Sequence, residues 1–187
     1  VIVLNADGKF VVFEQRKYAI DGLTYSPVGG FIDDGEFPYD AAKREVLEEL
    51  GLGSPRSSKG GDEIESGKGS AEKMETKGES VGGGTWNPDG SVTDGDPDWV
   101  FLGTYRTAAN RGGGFIYLYL LKNAVPLVQG GGTSRFKGSG DDEGQKILFL
   151  SEKEIFEAIG QARFQEVKWA AAMSLAMLHI REGLMSQ

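Results

Sequence analysis

A stretch of 45 residues, 53–97, holds only six apolar side chains: Ile64, Ala71, Met74, Val81, Trp86 and Val92. Ordering a chain costs on the order of 1–2 kcal/mol per residue in backbone entropy, and so few apolar groups cannot offset it. Any core this chain builds must come from the sequence on either side. The stretch therefore reads as a loosely ordered, Gly-rich, low-complexity insertion with eleven of the chain's 29 glycines. A second loop at 130–144, GGGTSRFKGSGDDEG, holds six more. Setting both aside leaves about 127 residues, an ordinary single-domain length, so 1–187 reads as one decorated domain.

The remaining segments are strongly patterned. Val1–Leu4 and Lys9–Arg16 flank the turn signal NADG and suggest a hairpin. Trp99–Thr104, Phe115–Leu121 and Lys146–Leu150 are further strand candidates. Pro38–Leu50 reads as a helix, with Pro in its first turn and Gly51 just beyond its end. Ser151 and Glu154 form a capping-box pattern opening a short helix, and apolar spacing predicts a last helix over Phe164–Ile180. Strands interleaved with helices place the fold in the α/β (α+β) class.

Composition closes several functional classes. Without cysteine there is no disulfide framework, thiolate nucleophile or zinc finger. His179 is the one histidine, so a multi-histidine metal site is excluded. With 28 acidic and 20 basic residues the chain does not promise the basic face that long nucleic acids require. The longest nearly apolar run, Ala170–Leu178, is about half the ~18 residues of a membrane span. There is no signal-peptide pattern, and a cytoplasmic or organellar interior is expected over secretion. Val1 falls inside a strand pattern, as though the natural N-terminus lay upstream.

The most informative stretch is Gly29–Leu52, GGFIDDGEFPYDAAKREVLEELGL. On a helix starting at Pro38, Glu45, Glu48 and Glu49 fall within an arc of about 100°. Val46, Leu47 and Leu50 occupy the adjoining arc. A solvated charged face would also contain glutamates. Three on one stripe, however, repel one another, and Lys43 and Arg44 cannot neutralise all of them. Clustered carboxylate oxygens are what Mg²⁺ or Mn²⁺ takes, usually shared with substrate phosphates.

The same residues carry a family resemblance. Gly30, Glu36, then Arg44-Glu45-Val46-Leu47-Glu48-Glu49-Leu50-Gly51-Leu52 match every specified position of the Nudix box, G-x5-E-x7-R-E-U-x-E-E-x-G-U. Outside the box, FVVFEQRKYAIDG, SPVGGFIDDGE, LGTYRTAANRGGGFIYLYLL and FQEVKWAAAMSLAML resemble segments of ADP-ribose and nucleoside-diphosphate-sugar pyrophosphatases. The resemblance implies an α/β/α sandwich with a mixed sheet and a loop–helix–loop motif. It implies a small-molecule nucleotide substrate, Mg²⁺ or Mn²⁺ as cofactor, and a homodimer. Glu45, Glu48, Glu49 and the carbonyl of Gly29 would then ligate metal. Glu36 and Arg44 would pair to hold the loop, with Gly30, Gly35 and Gly51 at backbone turns.

The activity implied is hydrolysis of the diphosphate in ADP-ribose or a related nucleoside diphosphate sugar, giving a nucleoside monophosphate and a sugar phosphate. A dinucleoside polyphosphate or oxidised nucleotide as substrate stays open, as does a Nudix-fold module that binds nucleotide without cleaving it. In the resembled group an acidic loop before the last strand supplies a base; here that is Glu143, with Glu49 and Glu48 as rivals. Arg16, Arg106 and Arg111 are candidates for phosphate or ribose contact, because the arginine fork suits phosphate geometry. Tyr25, Phe31, Tyr105 and Phe115 are candidates for stacking on a base.

Overall fold

The structure is a computed structural model and describes residues 1–57, 78–79, 85–93, 95–127 and 145–185. In chain order the strands and helices are β1 (Ile2–Asn5), β2 (Phe10–Lys17), β3 (Ile20–Ser26), α1 (Pro38–Leu50) and β4 (Leu52–Gly53). Then come β5 (Gly78–Glu79), β6 (Thr85–Trp86), β7 (Val92–Thr93), β8 (Trp99–Arg106) and β9 (Phe115–Pro126). The chain finishes with β10 (Lys146–Leu150), α2 (Glu152–Gly160) and α3 (Val167–Met185).

The NADG signal makes the turn between β1 and β2. There Asn5 Oδ1 accepts from the backbone N–H of Asp7 at 3.1 Å and of Lys9 at 2.8 Å. The main sheet runs β10-β2-β1-β9-β4, with β3 also paired to β2 and β8 to β9. β1 and β9 run parallel and the other pairs antiparallel, so the sheet is mixed.

Strand alternation divides the core into two layers. Ile2, Phe10, Val12, Leu118 and Leu120 face Ile155 of α2 and Met173 of α3. Their neighbours Val3, Val11, Phe13 and Leu121 face Val46 and Leu50 of α1. This is an α/β/α sandwich, and α1 is held against one face by side chains that each contribute about 1.5–3 kcal/mol on burial. Ser151 caps α2 as its sequence suggests, with Glu154 returning the bond to the Ser151 N–H.

Three features differ from the sequence reading. β3 is an unanticipated strand; its inward residues, Thr24 and Ser26, are polar, and they bond to Arg163 O and Gln15 rather than joining an apolar face. β9 continues to Pro126 and α3 to Met185, beyond their expected ends. The 53–97 segment is also not loose throughout. Gly53 and Ser54 are buried, and β5, β6 and β7 form a small antiparallel sheet. The buried Tyr119 hydroxyl donates to the Gly90 carbonyl at 2.5 Å, and Thr104 Oγ1 donates to the Asp89 carbonyl. Polar anchors on the main sheet hold these residues where apolar counting saw no reason for order. The 130–144 loop lies outside the described residues.

Candidate functional site

Helix α1 starts at Pro38, whose missing N–H costs nothing at this position. It stops at Gly51, which takes the left-handed conformation (φ 62°) and donates its N–H to the Leu47 carbonyl at 2.9 Å. Between these ends Tyr39, Ala42, Val46 and Leu50 are buried against the sheet. The other side carries Arg44, Glu45, Glu48 and Glu49, placed at the surface by the same helical period.

Arg44 organises this surface. Its Nε donates to Glu36 Oε1 at 2.8 Å and its Nη2 to Glu36 Oε2 at 2.9 Å, a bidentate pair. Nη2 also donates to the Phe31 carbonyl at 3.0 Å. Nη1 donates to Glu45 Oε1 at 2.7 Å and to Glu48 Oε2 at 3.2 Å. Glu36 in turn accepts from the Asp33 N–H at 3.0 Å. The loop between β3 and α1 is thus pinned to the helix by one guanidinium. The hydrogen bond from Arg44 holds the Glu36 carboxyl below its ordinary range, and the same bond pushes the Arg44 pKa further up.

Glu49 is in the opposite situation. Burial first, and then the negative charge of Glu45, push its carboxyl above the usual value of 4.5; the Gly29 N–H and Lys17 offset this in part. Gly29 thus sits against Glu49 through its N–H. Gly30 lies beside Glu45, and a Cβ there would strike the Glu45 carboxylate. Glycine is needed at this position for close approach.

The donor chemistry fits a hard divalent cation. Three carboxylates share one helix surface, one of them is half-buried with its carboxyl raised by burial and then by Glu45, and the approach beside Glu45 has no side chain. The arrangement is not a ready-made chelate. Among the described residues no three His, Cys, Asp or Glu side chains converge on a point that could hold a metal. Arg44 occupies two of the three glutamates instead.

The remaining candidates lie apart from this cluster. Arg16 is exposed on β2, whereas Lys17 beside it is a cation whose charge reaches Glu49. Nothing in the sequence distinguished Lys17 from Arg16. Arg106 donates to the Gly113 carbonyl at 3.1 Å and lies 4.1 Å over the Phe115 ring. Arg111 is exposed in the short 3-10 turn between β8 and β9. Among the described residues no hydrogen bond or ion pair joins these three arginines to Glu45, Glu48 or Glu49.

Of the aromatic candidates, Tyr25 packs edge-on to Phe164 at 5.8 Å, a core contact. Tyr105 bonds back to the Leu102 carbonyl. Phe31 is 92% exposed beside the box. Glu143 lies outside the described residues. Two residues further on, Gln145 Nε2 donates to Gln15 Oε1 at 2.7 Å and fastens that end of the loop to β2.

Behind α1, Tyr39, Trp99, Phe101, Tyr119 and Asp96 line a cavity of about 220 Å³. Tyr39 belongs to the buried side of the helix, so this cavity is separate from the glutamates. Burial pushes both the Tyr39 and Tyr119 phenols up.

Comparisons with known proteins bear on the fold and on residues 1–78. The model of the NUDIX domain matches residues 1–78, which include β1–β4, α1 and the whole box. The fold is similar to that of a protein solved as a crystal structure of an ADP compounds hydrolase. The TM-score is 0.60 at 16% identity, covering 100% of this chain and 72% of that one. No curated protein matches the sequence. An unbroken box thus lies inside the residues that match the NUDIX domain, on a loop–helix–loop set against an α/β/α sandwich.

Proposed function

We propose that this chain is a divalent-metal-dependent pyrophosphohydrolase, using Mg²⁺ or Mn²⁺, that cleaves ADP-ribose or a related nucleoside diphosphate sugar. The observation that carries the reading is the crowding on α1. Glu49 is half-buried beside Glu45, at a cost that the Gly29 N–H and Lys17 offset in part and that a bound cation or a proton would relieve further. The substrate class is supported by the resemblance outside the box, and by the likeness in fold to a protein titled an ADP compounds hydrolase.

Glu45, Glu48, Glu49 and the backbone of Gly29 would hold the cation. When bound, such a cation neutralises the diphosphate and lowers the pKa of a water. Water attacks one phosphorus, a new P–O bond forms, and the anhydride P–O bond breaks to release a nucleoside monophosphate and a sugar phosphate. The proton lost by water passes to a carboxylate. Glu143, just ahead of β10 in the sequence, is the favoured acceptor, with Glu49 and Glu48 as its rivals. Arg44 and Glu36 fix the loop and so keep Gly29 and Gly30 beside the glutamates. Arg16, Arg106 and Arg111 stand as candidates for phosphate or ribose contact. A homodimer is expected from the resemblance alone.

The test is a panel of nucleotides, including ADP-ribose, nucleoside diphosphate sugars, dinucleoside polyphosphates and oxidised nucleotides. It is run with Mg²⁺ on wild type and Glu49→Gln. Monophosphate release from the diphosphate sugars, lost in the variant, is the expected result. Turnover unchanged by Glu49→Gln overturns the site. Binding without any turnover points to a nucleotide-binding module instead.

A further inference from the structure

The Arg44 guanidinium is divided between two tasks. One edge, Nε and Nη2, is fully committed to Glu36 and to the Phe31 carbonyl, at 2.8 to 3.0 Å. The other end, Nη1, reaches Glu45 at 2.7 Å and Glu48 at 3.2 Å. Among the described residues, Nη1 is the sole cationic group within ion-pair distance of either glutamate. Both belong to the set that would hold a divalent ion, so this end of Arg44 and the ion compete for the same oxygens. The anchored edge makes that competition local: Nη1 can lose its partners while Glu36 still fixes the side chain.

We propose that Arg44 is the resident counter-cation of the box, holding Glu45 and Glu48 when no divalent ion is bound and yielding them on binding, while Glu36 retains the guanidinium. The inference rests on the metal-site reading above. It explains how Glu45 and Glu48 share one helix surface in a folded metal-free protein. It also explains why they do not form a preassembled chelate. Glu45, confined between Nη1 and the bare backbone of Gly30, is kept in place for the exchange.

The experiment is Mn²⁺ binding followed by electron paramagnetic resonance, without nucleotide, on wild type, Arg44→Gln, Glu36→Gln and Glu45→Gln. Removing the competing cation should tighten Mn²⁺ binding by about three- to tenfold in Arg44→Gln. Glu36→Gln cuts the anchor but leaves the charge, so it should give no tightening. Glu45→Gln should weaken binding. Wild-type affinity or weaker in a folded Arg44→Gln overturns the proposal.

A second readout uses the unaltered protein, in case Arg44→Gln does not fold. On titration with Mg²⁺, the Arg44 Nη resonances should shift while its Nε–H stays protected by Glu36. Nη resonances that ignore a saturating ion overturn the exchange. If wild type binds no Mn²⁺, the metal-site reading falls and takes this inference with it. If wild type binds, Glu45→Gln weakens, and Arg44→Gln does not tighten, the counter-cation role alone falls.

Discussion

The two sides of α1 are built from the same thirteen residues and do opposite things. The inner side, Ala42, Val46 and Leu50, gains free energy by leaving water, with the half-buried Lys43–Asp40 pair at its margin. The outer side sets Glu45 and Glu48 on one arginine and leaves Glu49 beside them, its carboxyl lifted above the ordinary range by burial and then by Glu45. The first supplies the stability on which the second draws. The comparison shows that a fold can hold an electrostatically unfavourable surface when the helix bearing it is fixed from behind.

The sharpest way to separate the sides is one substitution on each. Glu45→Gln should lower turnover by at least about 100-fold, the scale of losing several kcal/mol of transition-state charge stabilisation, while leaving the thermal midpoint nearly unchanged. Leu50→Ala should do the reverse. It should cost about 3 kcal/mol in a denaturant melt while turnover per folded molecule persists. If both variants lost stability alike, the division of labour would be wrong.

The next effect concerns what supports the inner side. Tyr119→Phe removes the hydroxyl bonded to the Gly90 carbonyl and should destabilise by about 1–2 kcal/mol, measured in the same melt. A neutral result would mean that residues around Gly90 do not brace the layer behind α1.

Acid titration probes the outer side more gently. Glu36 has a folded pKa below its ordinary 4.5, because Arg44 binds the ionised form. Its stabilising contribution is complete above the unfolded value and is lost as pH falls through the folded value. Wild type should therefore lose stability relative to Glu36→Gln as pH drops below about 4.5, and the gap should be constant above it. The smallest effect is expected from deleting 58–77, which should change stability by no more than about 0.6 kcal/mol, on the scale of loop-closure entropy. Deleting all of 53–97 is a different experiment, since it removes Gly90 and its neighbours.

Much of this was legible because the informative residues are local. Pro38 and Gly51 mark both ends of α1, and 3.6-residue periodicity separates Val46 and Leu50 from the glutamates. Ser151 and Glu154 announce α2. The pairing of Glu36 with Arg44 followed from the box. What escaped is non-local and polar. β3 contains Asp21-Gly22, which reads as a turn, and its buried side is Thr24 and Ser26, whose partners lie on β2 and before α3. Gly90 is anchored by a tyrosine 29 residues away, which no count of apolar residues can register. Arg44's hold on Glu45 and Glu48 was hidden for another reason. Spacing shows which side chains share a surface, but not which of them a single guanidinium will reach.

The central claim is that the crowded side of α1 is kept for chemistry at the expense of stability. Glu49→Gln tests it in one protein, by recording the thermal midpoint without metal alongside Mg²⁺-dependent release of nucleoside monophosphate. Because burial and Glu45 raise the folded pKa of Glu49, its ionised form destabilises the fold at neutral pH. The account predicts a higher midpoint than wild type together with lost turnover. A variant that melts lower, or that still turns over substrate at the wild-type rate, would contradict it.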